Sequence, residues 1–208
     1  NVTGPLTSTG AVTMTSGSTL QVGSAMNVGS LNLSGTSAAT VTGALTSSGT
    51  VALGYSSLNV SGSMSAGALS LVSGTANVTG PLTSTGAVTM TSGSVFTVGG
   101  AMNASSLSLS GGTATVAGAI NTTGDVTISS NAVLNANGNI SASTVSFTNS
   151  SFTIARGTTM TAATVSIDGG TLTNNGNIAG LVTIGSAGIL KGSGVISGGV
   201  TVNGGKMD

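Results

Sequence analysis

The stretch NVTGPLTSTGAVTMTSGS occupies residues 1–18 and recurs unchanged at residues 77–94. An identical internal repeat of this length indicates that the chain grew by duplication. The similarity continues beyond the identical stretch, and the offset between the two copies gives a unit of 76 residues. We therefore expect one domain over residues 1–208, in which 1–76 and 77–152 are duplicated units and 153–208 continues the repeat in a more divergent form.

Within the unit, one aliphatic residue, here called the anchor, recurs every 18 to 20 residues. The anchors are Leu6, Met26, Leu45, Met64, Leu82, Met102, Ile120, Ile140, Met160, Ile178 and Ile196. Glycine stands two residues before nine of them, and valine stands four residues before each of the first seven. The motif V-x-G-x-(L/M/I) has the period of a strand with one buried face. It predicts a strand whose glycine either lets two sheets approach closely or marks a bend.

A second strand is predicted about six residues after each anchor, where two aliphatic residues flank one outward residue. These pairs are Val12/Met14, Leu31/Leu33, Val51/Leu53, Leu69/Leu71, Val88/Met90, Leu107/Leu109, Val126/Ile128, Val145/Phe147, Val165/Ile167, Val182/Ile184 and Val200/Val202. Clusters of Ser, Thr, Gly and Asn lie between the strands and are typical of turns. A two-residue expansion before Met160 places Arg156 in a bulge or loop.

The recurrence of the same residue type at one fixed spacing is what stacked coils require. A helix is excluded because the spacers are poor helix formers, and a sandwich would not need equivalent positions to repeat. The sequence therefore predicts an all-β fold, a parallel β-solenoid of about eleven coils of about 19 residues. The variable spacing and the general preference for right-handed crossovers favour a right-handed β-helix.

The composition excludes several classes of function. The chain has three basic and three acidic residues and no His or Cys, so we expect no nucleic-acid binding, no metal site, no cofactor and no disulfide. No apolar run approaches the roughly 20 residues of a membrane-spanning helix, and we expect no membrane insertion. Asp125 and Asp168 lie two coils apart with no Glu in the chain, which argues against an enzyme, since glycoside-cleaving sites need paired carboxylates.

Ice binding is a minor alternative, because regularly spaced Thr on a flat face could form an ice-facing array. Thr fills five of the eleven outward positions between the paired aliphatics, without a continuous run. The positions are Thr13, Asn32, Ala52, Ser70, Thr89, Ser108, Thr127, Ser146, Ser166, Thr183 and Thr201. The interrupted array makes this alternative weaker than a structural role.

The repeat spacing, the Ser/Thr/Asn/Gly turns and the stretch GSGVISGGVTVNGG at residues 192–205 resemble the autotransporter-associated β-strand repeats and filamentous-haemagglutinin-like proteins of bacterial surfaces. In that family a Pro-Gly commonly follows this stretch, whereas here Lys206, Met207 and Asp208 follow it. The resemblance implies an exported bacterial protein at the cell surface, secreted or extracellular, with a structural, adhesive or matrix role. It brings no catalytic residues.

We expect the protein to be its own partner, in a head-to-tail homopolymer that forms a filament, sheath or surface matrix. Residues 1–18 carry no special cap, since they are identical to an internal stretch, and the last aliphatic pair still follows the strand pattern. The polymer-interface candidates are Val2, Leu6, Val12, Met14, Ile196, Val200 and Val202. The alternative is a monomeric adhesin stalk that displays a binding region outside this chain, with host or matrix surfaces as partners.

Overall fold

A computed structural model describes residues 1–208 and contains 27 β-strands and no helix. The strands are β1 (Leu6–Met14), β2 (Thr19–Val22), β3 (Met26–Ser34), β4 (Ala38–Val41), β5 (Leu45–Ser47), β6 (Thr50–Gly54), β7 (Ser57–Val60), β8 (Met64–Ala66), β9 (Ala68–Val72), β10 (Thr75–Val78), β11 (Leu82–Ser84), β12 (Ala87–Thr91), β13 (Val95–Val98), β14 (Met102–Ala104), β15 (Ser106–Ser110), β16 (Thr113–Val116), β17 (Ile120–Thr122), β18 (Val126–Ser129), β19 (Val133–Ala136), β20 (Ile140–Ser141), β21 (Thr144–Ile154), β22 (Thr159–Asn174), β23 (Asn177–Ile184), β24 (Gly188–Lys191), β25 (Val195–Ile196), β26 (Val200–Val202) and β27 (Lys206–Met207). The structure contains no helix that is long enough and apolar enough to cross a membrane.

The strands form three parallel ladders that we call faces A, B and C, and each coil passes through the faces in that order. Face A contains the anchors and is built from β1, β3, β5, β8, β11, β14, β17, β20, β22, β23 and β25. Face B contains the paired aliphatics and is built from β1, β3, β6, β9, β12, β15, β18, β21, β22, β23 and β26. Face C is built from β2, β4, β7, β10, β13, β16, β19, β21, β22, β24 and β27.

The parallel β-solenoid predicted from the sequence is confirmed. About eleven coils stack about 19 residues apart, and equivalent residues pair from coil to coil, as Leu45 does with Met26 and with Met64. The right hand of the coil stays a prediction. We number the coils 1 to 11 by their anchors.

The number of strands in a coil differs from the prediction, because each coil has three and not two. The motif V-x-G-x-(L/M/I) is not one strand: Val41 ends β4, Leu45 begins β5, and Gly43 lies in the bend between them. The valines thus end face C, the anchors begin face A, and the glycines mark the bend between the two faces. The sequence predicted that the glycine either lets two sheets approach closely or marks a bend, and the structure shows the bend.

Where this bend contains glycine and another coil precedes it, the two coils pass so close that there is no room for a side chain. A Cβ atom on Gly118 would lie 2.6 Å from the backbone nitrogen of Ala101 in the coil before it, and one on Gly80 would lie 2.9 Å from the oxygen of Gly62. Backbone cannot move aside as a flexible side chain can. The glycine column therefore follows from the stacking of the bends.

The interior is one continuous apolar cluster of 50 buried residues. Over coils 1 to 6 its layers alternate in composition: coil 3 has Val51 on face B and Leu58 on face C, whereas coil 4 has Leu69 and Ala76 at the same positions. The series on face B is Val12, Leu31, Val51, Leu69, Val88 and Leu107, and the series on face C is Leu20, Ala39, Leu58, Ala76, Phe96 and Ala114. A larger residue on one face is matched by a smaller one on the other, which keeps the volume of each layer similar, as close packing requires.

Stability is expected to change little between about pH 5 and pH 9. All six charged side chains are exposed, and the chain has no His or Cys that would titrate in this range. Thermal melting followed by circular dichroism at about pH 5, 7 and 9 measures this. A melting temperature that moved by more than about 5 °C would contradict the expectation.

Candidate functional site: the open coil ends and the charged faces

Coil 1 has ladder partners on one side only. On faces A and B, β1 pairs with β3, and on face C, β2 pairs with β4. Val2 adds one isolated parallel bridge to Val22. The other edge of β1 presents backbone groups and apolar side chains with no neighbouring strand.

The two copies of the identical stretch show how another coil changes the burial of this edge. Leu82 and Val88 in coil 5 are 0% exposed, whereas their counterparts Leu6 and Val12 are half-buried. The coil before β11 accounts for the difference, because β11 pairs with β8 as well as with β14. In residues 77–94 the preceding coil thus covers the same surface that residues 1–18 leave open.

Coil 11 presents the opposite edge. Val200 is 38% exposed and Val202 is 48% exposed, while Val182 and Ile184, which pair with them from coil 10, are 0% exposed. Ile196 is half-buried. The structure therefore gathers the predicted interface residues into two groups, with Val2, Leu6, Val12 and Met14 at one end of the rod and Ile196, Val200 and Val202 at the other.

Two edge residues were not found from the sequence, Leu20 on face C of coil 1 and Met207 on face C of coil 11. Leu20 is half-buried and Met207 is 60% exposed. They were missed because the third strand was not predicted. The signal was present in the sequence as an apolar residue two positions before each of the six motif valines that follow Val2, for example Leu58 before Val60.

The charged side chains lie at separate places on the rod. Asp125 lies in coil 7 immediately before β18, at the start of face B, and Asp168 lies on face B in coil 9. The Oγ1 of Thr144 donates a hydrogen bond of 2.7 Å to the Oδ1 of Asp125. Lys191 lies on face C of coil 10, and Arg156 lies in the turn that follows face C of coil 8. The predicted bulge or loop at Arg156 is confirmed as this exposed turn. Face A carries no charged side chain along its ladder.

The remaining two charges neutralise each other at the end of face C. The Nζ of Lys206 lies 2.8 Å from the Oδ1 of Asp208, and both side chains are largely exposed. No charged side chain is present in residues 1–124. The side chains of coils 1 to 6 therefore produce no electrostatic repulsion.

The face C ladder is interrupted between coils 7 and 8. Its register there contains one pair, Val133 with Ser151, whereas the steps on either side have four or more. Coil 8 contains Phe147 and Phe152, whose ring centroids are 5.6 Å apart in a stacked pair. A groove of about 570 Å³ opens at the interruption and extends along face C to Lys191.

The groove contains no acid–base pair and no metal-binding set. Lys191 is the one titratable side chain in its lining, and the others are Ser, Thr, Asn or apolar. Nowhere in residues 1–208 do three or more His, Cys, Asp or Glu side chains come together. The expectation that the chain is not an enzyme stays a prediction.

The ladders and the coil spacing define the class of this protein as a parallel β-solenoid repeat protein. No family model, curated protein or solved structure matches the chain.

Proposed function

We propose that this protein is a structural, extracellular β-solenoid that assembles end to end, so that coil 11 of one molecule stacks on coil 1 of the next. The observation that carries the proposal is the burial of Leu82 against the partial exposure of Leu6 within identical sequences. Residues 77–94 pack against the coil that precedes them. The identical residues 1–18 can therefore pack in the same way against a coil of another molecule.

The contact continues the three ladders. By the register of the internal steps, Ile196 would lie beside Leu6 on face A, Val200 beside Val12 on face B and Met207 beside Leu20 on face C. Apolar residues meet apolar residues in all three places. The contact is therefore of the same kind as an internal step between coils.

Backbone pairing and apolar burial are the two terms that favour association. Joining the two edges would form roughly ten backbone hydrogen bonds, each with a net contribution of about 0.5 to 1.5 kcal/mol. Burial of the exposed apolar side chains contributes about 25 cal/mol per Å². These gains oppose an association cost of about 4 to 15 kcal/mol, and no charged side chain on coil 1 opposes the contact.

The geometry of such a contact leads to a fibre. The two edges differ from one another, so the contact is head-to-tail and leaves an open edge at each end of the growing assembly. At about 4.8 Å per coil, we expect an axial repeat of roughly 50 Å. Filaments of this kind could form a sheath or a surface matrix.

The resemblance to bacterial autotransporter and haemagglutinin-like repeats supports an exported, cell-surface location. The same resemblance supports the alternative function, a monomeric adhesin stalk that holds a binding region against host or matrix surfaces. In a stalk, the edges of coils 1 and 11 would be covered by segments outside these residues. No observation favours ice binding, because Ser108 separates Thr89 from Thr127 in the paired outward row of face B.

Gly4→Val is expected to block assembly without weakening the fold. A Cβ on Gly4 has no atom within 4 Å in the single molecule, but in the filament Gly4 would stack on the bend at Gly194, as Gly80 stacks on Gly62. Negative-stain microscopy and sedimentation are expected to show filaments of the unaltered protein and single rods of the variant. At concentrations too low for filaments to form, its melting temperature should equal that of the unaltered protein, because assembly itself stabilises the folded rod.

Gly80→Val is the matched control, since the same substitution in the same local sequence meets backbone at 2.9 Å within the molecule. It is expected to lower the melting temperature. An unaltered protein that stays a monodisperse monomer at high concentration would contradict the proposed assembly and favour the adhesin stalk. Filaments of Gly4→Val that equal those of the unaltered protein would exclude the stacking geometry.

A further inference from the structure

The exposed charges are segregated by face, and this segregation defines a lateral contact. Face B and the turn before it carry negative charge only, at Asp168 and Asp125. Face C and the turn after it carry Lys191 and Arg156, together with the self-neutralised pair of Lys206 and Asp208. We propose that rods associate side by side in parallel, with face B of one molecule against face C of a second copy.

The positions of the charged residues along the rod axis favour a parallel orientation of the two rods. The acids lie in coils 7 and 9, and the bases lie in coils 8 and 10. A displacement of one coil, about 4.8 Å, brings each acid to the height of one base. In an antiparallel arrangement with full overlap the charged coils would face the uncharged coils 1 to 6. Both acid–base pairs would meet there only after a displacement of about five coils, which leaves about half of each face in contact.

The exposed apolar side chains lie on the same two faces. Outside coil 11 and the turn residue Tyr55, the large apolar residues that remain exposed are Val72 and Leu181 on face B and Val95 and Val133 on face C. Face A has none over coils 1 to 10. Burial of these side chains favours a contact through faces B and C and leaves face A to solvent.

The area of the faces is sufficient for a specific contact. Five strand residues of about 3.3 Å each and eleven coils of about 4.8 Å give face B an area of about 850 Å². A standard interface buries about 800 Å² on each partner. Apolar burial and area supply the attraction, while the charges select which faces meet and in which direction.

The contact is heterologous and therefore propagates. Every rod that offers face B to one neighbour still has face C free for another, so association continues beyond a dimer. The inference rests on the proposed structural role, because side-by-side contacts are what convert single filaments into a sheath or a matrix. It does not require the end-to-end contact, and single rods could also associate in this way.

The test uses two charge-reversed variants of the full chain. One carries Asp125→Lys and Asp168→Lys and so has positive charge on both faces, and the other carries Arg156→Glu and Lys191→Glu and has negative charge on both. Each variant alone is expected to lose lateral association at low salt. An equimolar mixture is expected to regain it, since each rod then meets the opposite charge on both sides. Thr83→Lys, an exposed change on face A, is the control and should leave association unchanged.

The width of assemblies in negative stain and the sedimentation coefficient report the lateral contact, and the melting temperature shows that each variant is folded. Single filaments of the unaltered protein without bundles would overturn the lateral contact and leave the end-to-end assembly standing. Bundles or pairs of short rods without filaments would support the lateral contact and contradict the end-to-end assembly. Full association of either reversed variant by itself would overturn the assignment of faces B and C.

Discussion

Leu45→Asp is expected to leave the chain unfolded. Leu45 is 0% exposed and lies in the anchor column between Met26 and Met64. An unpaired carboxylate buried in an apolar column costs several kcal/mol, and the lost burial of leucine costs about 2 to 5 kcal/mol more. The sum is comparable with the whole stability of a typical domain, about 5 to 15 kcal/mol. Loss of the β-type circular dichroism signal measures the effect.

Thr46→Asp is the matched control, because Thr46 is the next residue in β5 and points outward, where it is exposed. A carboxylate there stays hydrated and should change stability by less than about 0.5 kcal/mol. Equal stability of both variants would show that the anchors do not face the interior.

Gly118→Val is expected to destabilise the fold by about 3 kcal/mol, the upper part of the range for overpacked sites. The added Cβ would lie 2.6 Å from the backbone nitrogen of Ala101 and 2.7 Å from the carbonyl carbon of Gly100. Neither atom can retreat unless the two stacked bends separate and stretch the hydrogen bond of 3.0 Å from the Gly118 nitrogen to the Gly100 oxygen. Urea unfolding measures the loss.

Gly10→Val provides the comparison for this substitution. A Cβ on Gly10 has its nearest neighbour at 4.0 Å, the Oγ of Ser8, and the residue is exposed. Its stability should stay within about 1 kcal/mol of the unaltered protein. A loss at Gly118 no larger than that at Gly10 would mean that the bends are not in close contact.

The fold class could be predicted from the sequence because stacked coils force equivalent positions to repeat. The anchor column from Leu6 to Ile196 and the aliphatic pairs such as Val51 and Leu53 are inward in the structure. Their spacing alone indicates the parallel ladder, because each residue pairs with its counterpart one coil away.

The third strand was not predicted from the sequence, because inward and outward residues continue to alternate through the bend between faces C and A. Val41 and Leu45 are both inward, and Gly43 lies between them at the place where an inward residue of a single strand would stand. A pattern of inward positions does not distinguish a straight strand from two strands that meet at a corner. The close backbone contact that requires glycine there is visible only in three dimensions.

The interruption of the face C ladder had no signal of its own. Val133 and Ser151 stand at ordinary strand positions, and their neighbours Leu134 and Phe152 are apolar as expected for the interior. Coil 8 has two phenylalanines in its interior, Phe147 and Phe152, and coil 7 has none. Such a difference between neighbouring coils cannot be derived from the pattern of either coil alone.

The alternation of layers over coils 1 to 6 also limits how a gene for such a rod can change length. Removal of one coil would stack two layers of the same kind, for example Leu58 of coil 3 against Phe96 of coil 5 on face C. Removal or insertion of two coils would preserve the order of large and small residues. The 76-residue duplication comprises four coils, from the anchor Leu6 to the anchor Leu82, and so obeys this rule. In this region we expect recombination to produce viable descendants whose coil numbers differ by an even number, so that rod length evolves in discrete steps of about 10 Å.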